Sequence, residues 1–186
     1  MNQKKILEAI EFAVLAHAGQ CRKGTKIPYV THPLRVAKIL TEEGCTEPLI
    51  IAGILHDTLE DTATTFSEIK KKFGKNVATL VQHLSEHDTT DTWENRKKHT
   101  LQHLKSAPPP VVMIACADKL DNIRNIRKDY EVMGEELWKR FNRSKEKQKW
   151  YFTSLAKVFE TRKKNLPKNS IIFEFQSEVT RVFKKS

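Results

Sequence analysis

The segment His56-Asp57-Thr58-Leu59-Glu60-Asp61 puts four ionisable side chains at the end of the most apolar stretch of the chain. On a helix, residues three and four apart are neighbours, so His56 would lie beside Glu60, and Asp57 beside both Glu60 and Asp61. Carboxylates crowded against a buried segment repel one another, and a bound cation relieves the repulsion. One helical turn cannot fill a coordination sphere, so further ligands must arrive from elsewhere. Two candidates exist: His32, which follows a loop, and Asp118, which follows the apolar run 111–117 as Asp57 follows the run 49–55. Two imidazoles and two carboxylates without sulfur suit a six-coordinate first-row ion such as Mn²⁺ or Fe²⁺ better than zinc, and leave positions for water and substrate oxygens. Such an ion lowers the pKa of bound water from 15.7 to about 7 and neutralises charge on a phosphoryl oxygen. The chemistry indicated is metal-assisted hydrolysis.

Helices must position these groups. Ile6, Ile10, Ala13, Val14 and His17 form one stripe of a first helix that ends near Gly19. After a loop through Cys21 to Thr31, Pro33 suits the first turn of a second helix, with His32 at its cap and a stop at Gly44. Thr46 and Pro48 open a third, apolar on all sides and therefore central. Thr65 and Glu68 have the form of a capping box, starting a helix that ends at Gly74 in a left-handed cap, with another beginning near Asn76. Residues 86–92 read as a loop and 93–105 as a helix closed by Pro108-Pro109-Pro110. The run 111–117 is partly β-branched, but the spacing of Met113, Ala117, Leu120 and Ile123 favours a helix over a buried strand. Trp138, Phe141, Phe152, Leu155 and Phe159 mark a long helix with a polar middle, and Ile172, Phe175, Val179 and Val182 a terminal one after Pro167. The expected fold class is all-α, with one domain over 1–165 and a C-terminal helix in 166–186 packed on it.

A length of 186 residues with 39% hydrophobic and 30% charged residues describes one globular domain, not a disordered chain. The net charge of +10 favours polyanionic partners without choosing among nucleic acid, acidic headgroups and a polyphosphorylated small ligand. The longest apolar runs have seven residues, far short of the roughly 20 that span a bilayer. Glu8 and Glu11 exclude a secretory core near the N-terminus, so a cytoplasmic protein is expected. Cys21, Cys45 and Cys116 show no disulfide or zinc spacing. No pattern specifies an oligomeric state.

His32, His56-Asp57 and Asp118 resemble the metal-binding signature of the HD phosphohydrolase superfamily. His17-Ala-Gly19-Gln20, Arg22-Lys23, Pro28-Tyr29-x-x-His32-Pro33, Leu55-His56-Asp57-Thr58-x-Glu60-Asp61-Thr62, Phe73-Gly74 and Ala117-Asp118-Lys119-Leu120-x-Asn122 narrow the resemblance. It is to the RelA/SpoT-type hydrolase domain and its small stand-alone relatives, the guanosine-3′,5′-bis(diphosphate) 3′-pyrophosphohydrolases, over residues 11–125. The resemblance implies an all-helical HD domain that binds Mn²⁺, or another divalent first-row metal, and removes the 3′-pyrophosphate of ppGpp. It implies His32, His56, Asp57 and Asp118 as metal ligands, and Glu60-Asp61 as the acidic pair that orients the attacking water and moves its proton. Asn122 would touch the nucleotide, and Arg22 and Lys23 would lie against the base and phosphates. The chain departs from the pattern at Asp121, where His or Tyr is more familiar. Its segments 92–97 and 141–145 are similar to a group of small bacterial HD hydrolases, making Arg96, Lys97, Arg143 and Lys145 candidate phosphate contacts.

The same residues have plainer readings. His17, on an apolar stripe, reads as a structural histidine. His99 and His103 have i,i+4 spacing, with His83 and His87 nearby, but no acidic partner adjoins them, so a second metal site is disfavoured. Trp93 and Trp138 read first as packing residues. Rival functions are another HD activity, such as a nucleotidase or phosphatase on other phosphoesters, and a non-catalytic nucleotide- or nucleic-acid-binding module. A nucleic-acid partner is unlikely, because no helix-turn-helix or stacking-platform signature is present.

Overall fold

Helix α3 (Glu47–Leu55) carries the seven-residue apolar run, and four other helices pack against it. In a computed structural model describing residues 3–85, 90–166 and 170–184, α3 packs against α1 (Gln3–Ala16), α2 (Thr31–Glu42), α6 (Lys75–Leu84) and α8 (Pro109–Met133). Residues 50–55 are all buried, as a segment with no polar face requires. Alpha-helices α4 (Thr58–Asp61), α5 (Phe66–Phe73), α7 (Trp93–Ser106), α9 (Lys145–Arg162) and α10 (Ser170–Phe183) complete the bundle. Among the described residues there is no strand, only an isolated antiparallel bridge between Cys21 and Pro28 in the α1–α2 loop. Residues 86–89 of the expected loop 86–92, with His87, and Pro167 lie outside the described residues.

One glycine sets how closely α2 and α3 approach. A Cβ on Gly53 would stand 2.4 Å from Cδ1 of the fully buried Leu40. Gly53→Ala is therefore expected to destabilise the fold by about 1–3 kcal/mol through overpacking, measured by denaturant unfolding. A variant as stable as the parent would show that Leu40 has room to move.

The α8 helix forms as the spacing predicted, and Thr65 and Glu68 make the capping box reciprocally. Gly74 ends α5 with φ 90° and ψ 163°, a positive-φ conformation suited to glycine but not the left-handed helical one expected. His32 lies inside α2, because the helix begins at Thr31 with Val30 as its cap. The helix expected across Trp138 to Phe159 is two elements. Gly134, at φ 57°, ends α8; Trp138 sits on the 3₁₀ turn Gly134–Arg140, Phe141 is extended, and Ser144 precedes α9. The apolar pattern survives this break because Trp138 stacks on Phe183 of α10 and lies tilted against the extended Phe141.

Helix α10 belongs to the same hydrophobic core as α1 to α9. It packs on α8 and α9 through Ile172, Phe175, Val179 and Val182, and its buried Glu178 accepts a hydrogen bond from Arg127 Nε at 2.6 Å.

Candidate functional site

The apolar helix α3 stops at Leu55, and His56 and Asp57 form the turn between it and the single-turn α4. Glu60 and Asp61 are thus on a separate short element, not on one continuous helix with His56. Local hydrogen bonds hold the turn: Thr58 Oγ1 donates to Leu55 O at 2.7 Å, Thr62 Oγ1 to Thr58 O at 2.6 Å, and Asp61 N to Asp57 O at 2.9 Å.

The three helices α2, α3 and α8 bring His32, His56-Asp57 and Asp118 to one point. His32 Nε2 is 3.2 Å from Asp118 Oδ1 and 3.7 Å from Asp57 Oδ2, while His56 Nε2 is 3.1 Å from Asp57 Oδ2 and 3.9 Å from Asp118 Oδ1. Among the described residues, one group of three potential ligands has atoms within 4.8 Å of one another, namely His32, His56 and Asp118. Asp57 is not within that group, but its Oδ2 lies near both imidazoles, at 3.1 Å from His56 and 3.7 Å from His32.

The donor set fits a divalent cation. His56 Nδ1 is 2.9 Å from the Gly53 carbonyl, which can only accept, so Nδ1 carries hydrogen. Its buried Nε2 has no hydrogen-bond partner although it faces the carboxylates. Burial pushes the His56 pKa down, but Asp57 and Asp118 outweigh it and raise the value to about 9. Burial likewise opposes ionisation of Asp57 and Asp118, yet His56 and His32 around Asp57, and Lys119 with the two imidazoles around Asp118, hold both carboxyls far below the ordinary range. The cluster thus retains carboxylates and draws positive charge inward, which a cation supplies in place of a proton.

Supporting side chains surround it. Tyr29 OH donates to Asp57 Oδ2 at 2.6 Å and its ring packs on buried His17, whose Nδ1 is 2.8 Å from Gln20 Oε1. Gln20 Nε2 donates to the Asp61 carbonyl at 2.7 Å, tying the α1–α2 loop to α4. Lys119 Nζ lies 2.7 Å from Asp118 Oδ2. Asn122 donates to Asp118 Oδ1 at 2.6 Å and accepts from Arg22 at 3.0 Å.

Two cavities adjoin the cluster. The first, of about 200 Å³, is lined by the four candidate ligands, Glu60 and Asp61. The second, of about 310 Å³, includes Trp93, Phe141 and Tyr151 as an aromatic wall, with Lys23 and Arg140 among its basic groups. Arg22, Tyr29, Lys97, Lys119 and Asn122 line both, so the cavities meet at these residues.

Arg22, Lys23, Asn122 and Lys97 are therefore brought to the site, whereas Arg96, Arg143 and Lys145 line neither cavity. Arg143 pairs with Glu94 at 3.2 Å, and Lys145 with Glu135 at 2.6 Å, so their charges are engaged locally. His103 stacks on His83 at 5.6 Å between ring centroids, not with His99, and both rings line the smaller cavity. Sequence reasoning assigned no site role to Tyr29, Lys119 or Asp121, and read Trp93 and Phe141 only as packing residues, whereas both line the larger cavity. Asp121 had one available signal, its spacing of three residues from Asp118.

Comparison with known proteins gives concordant results. The HD domain family profile matches residues 9–149. The chain is 40% identical over 126 residues to the guanosine-3′,5′-bis(diphosphate) 3′-pyrophosphohydrolase MESH1 of Xenopus tropicalis, covering 66% of this chain and 70% of that protein. It is 41% identical over 129 residues to the guanosine-3′,5′-bis(diphosphate) 3′-pyrophosphohydrolase of Aquifex aeolicus, covering 67% of this chain but only 18% of that longer protein. A solved metazoan SpoT ortholog that hydrolyses ppGpp superposes with a TM-score of 0.75 at 28% identity, over 95% of this chain and 94% of the other. A Listeria monocytogenes protein gives a TM-score of 0.75 at 34% identity over 83% of this chain and 99% of its own. No described helix is long and apolar enough to cross a membrane. On the extent of the profile match, the identity to these relatives and the shared helical fold, the chain belongs to the HD domain family.

Proposed function

We propose that this protein is a metal-dependent hydrolase that removes the 3′-pyrophosphate of guanosine tetra- or pentaphosphate, with Mn²⁺ held by His32, His56, Asp57 and Asp118. The observation that carries the reading is the convergence of two imidazoles and two carboxylates beside a basic cavity. It is supported by 40% identity to a protein named for this reaction.

When bound, the cation supplies a water of lowered pKa and positive charge facing the phosphoryl oxygens. The side chains do the rest. Burial, with the charge of Asp57 adding, raises the Asp61 carboxyl above the ordinary value, making its carboxylate a better proton acceptor. Glu60 and Asp61 line the chamber with the ligands, where they orient the attacking water and take its proton. The water oxygen joins the phosphorus nearest the ribose, the bond from that phosphorus to the 3′-oxygen breaks, and the 3′-oxygen leaves as a hydroxyl, taking up the proton that the acidic pair received from the water. Arg22 and Lys97, at the junction of the cavities, bind the pyrophosphate as its charge rearranges. Asn122 fixes Arg22 in that place at 3.0 Å. The base then occupies the larger cavity, against Trp93, Phe141 and Tyr151, with Lys23 at its rim.

Incubation of the purified protein with Mn²⁺ and ppGpp is expected to yield pyrophosphate and GDP in equal amounts. Chelation should abolish the release and added Mn²⁺ restore it. Consumption of other phosphoesters from a nucleotide panel, with ppGpp untouched, would assign the site to a different HD activity.

A further inference from the structure

We propose that Asp121 is a positioning residue for the metal centre, acting through His32. The proposal rests on His32 being a ligand and adds the group that aims it. Asp121 is buried on α8, three residues after Asp118, and its Oδ2 lies 2.7 Å from His32 Nδ1. The other ring nitrogen, Nε2, is the one directed at Asp118 and Asp57. An ionised carboxylate only accepts hydrogen bonds, so Nδ1 carries the hydrogen, and in the metal-binding tautomer the Nε2 lone pair is turned into the cluster. Asp121 thereby does for His32 what the Gly53 carbonyl does for His56. Its acceptor, unlike that carbonyl, bears a charge, which makes the imidazole a stronger donor to a cation.

The carboxylate is itself held in place. Its Oδ1 accepts from Arg35 Nε at 2.8 Å, and its Oδ2 also accepts from Asn125 Nδ2 at 2.9 Å. Arg35 follows His32 by three residues on α2, so both donors reach α8 from the same helix face. Asp121 Oδ2 meets His32 on the side away from the ligand cluster, which gives it an orienting contact and not a place in the coordination sphere.

The test compares Mn²⁺ dissociation constants, read from the spin-resonance signal of free Mn²⁺, for the parent and for His32→Ala, Asp121→Asn and Asp121→Leu. Asp121→Leu should weaken binding about 10–100-fold, and Asp121→Asn, which keeps an acceptor of the same shape, distinctly less. Should the leucine variant fail to fold, Asp121→Ala takes its place. Both Asn and Leu remove the ion pair with Arg35, so equal losses in the two would assign Asp121 to a structural tie between α2 and α8 and overturn the proposal. Unchanged affinity in the leucine variant would overturn it as well. In turnover, excess Mn²⁺ should restore kcat with the nucleotide KM unchanged; a raised KM that metal does not relieve would place Asp121 on the substrate instead. Failure of the parent to bind Mn²⁺, or full-affinity binding by His32→Ala, would defeat the metal-centre reading itself and is distinct from all of these outcomes.

Discussion

Replacing Asp57 by alanine is expected to lower kcat/KM for pyrophosphate release from ppGpp by at least about 10³-fold, even at saturating Mn²⁺. Loss of one preorganised electrostatic partner in an active site typically costs about 10²–10³-fold, and Asp57 serves more than one partner. It accepts from Tyr29 OH at 2.6 Å and lies 3.1 Å from His56 Nε2 and 3.7 Å from His32 Nε2. Its removal takes away a proposed ligand, leaves the Tyr29 hydroxyl without its acceptor and strips the nearest negative charge from the buried His56 imidazole. Asp57→Asn separates these effects. It keeps the shape and an oxygen for Tyr29 but not the charge, and should match the alanine variant in turnover while staying closer to the parent in thermal stability. Turnover by Asp57→Ala within tenfold of the parent would remove Asp57 from the site.

Phe175→Ala is expected to destabilise the whole domain by about 3–5 kcal/mol, the usual cost of truncating a buried phenylalanine. Phe175 is fully buried, with its ring edge-on to Phe159 at 5.2 Å and tilted against Phe152 at 6.3 Å. Both partners are on α9, so the cavity would open between α9 and α10. For a chain of this length the loss corresponds to a fall in Tm of about 6–20 °C. The decisive feature is cooperativity: a single transition shifted downward means that α10 is part of the folding unit, whereas an unchanged main transition would make α10 a detachable appendage. The Arg127–Glu178 ion pair, with Glu178 only 4% exposed, argues for one unit, because a buried carboxylate whose partner moved away would be costly.

The α-helical elements were legible because their evidence is local. Apolar spacing of three and four residues marks α1, α8 and α10, and Thr65 with Glu68 marks the start of α5, since each signal depends on neighbours within one or two turns. The same locality explains the misplacement of Trp138 and Phe141. A hydrophobic stripe reports that residues are buried, and a 3₁₀ turn followed by an extended residue buries Trp138 as well as an α-helix would. Similarly, His56 to Asp61 has helical spacing, and nothing in the residue types announces the turn that separates α3 from α4.

The candidate site divides along the same line. Residue type and order alone determined that this chain carries His56-Asp57 and Asp118 after apolar segments and His32 after a loop, and hence which chemistry they could perform. Only the packing of α2 and α8 around α3 decided that each imidazole Nε2 lies 3.1 to 3.9 Å from carboxylate oxygens of both Asp57 and Asp118, and that Arg22 and Lys97 line the same cavity while Arg143 and Lys145 do not. The Asp121–His32 contact, 89 positions apart in the chain, belongs wholly to the second category. The physical reason is range. Helix propensity and capping act between residues close along the chain, whereas a coordination point is made where side chains from distant segments meet, and the relative rotation of packed helices that sets it is fixed by the shape of the whole core.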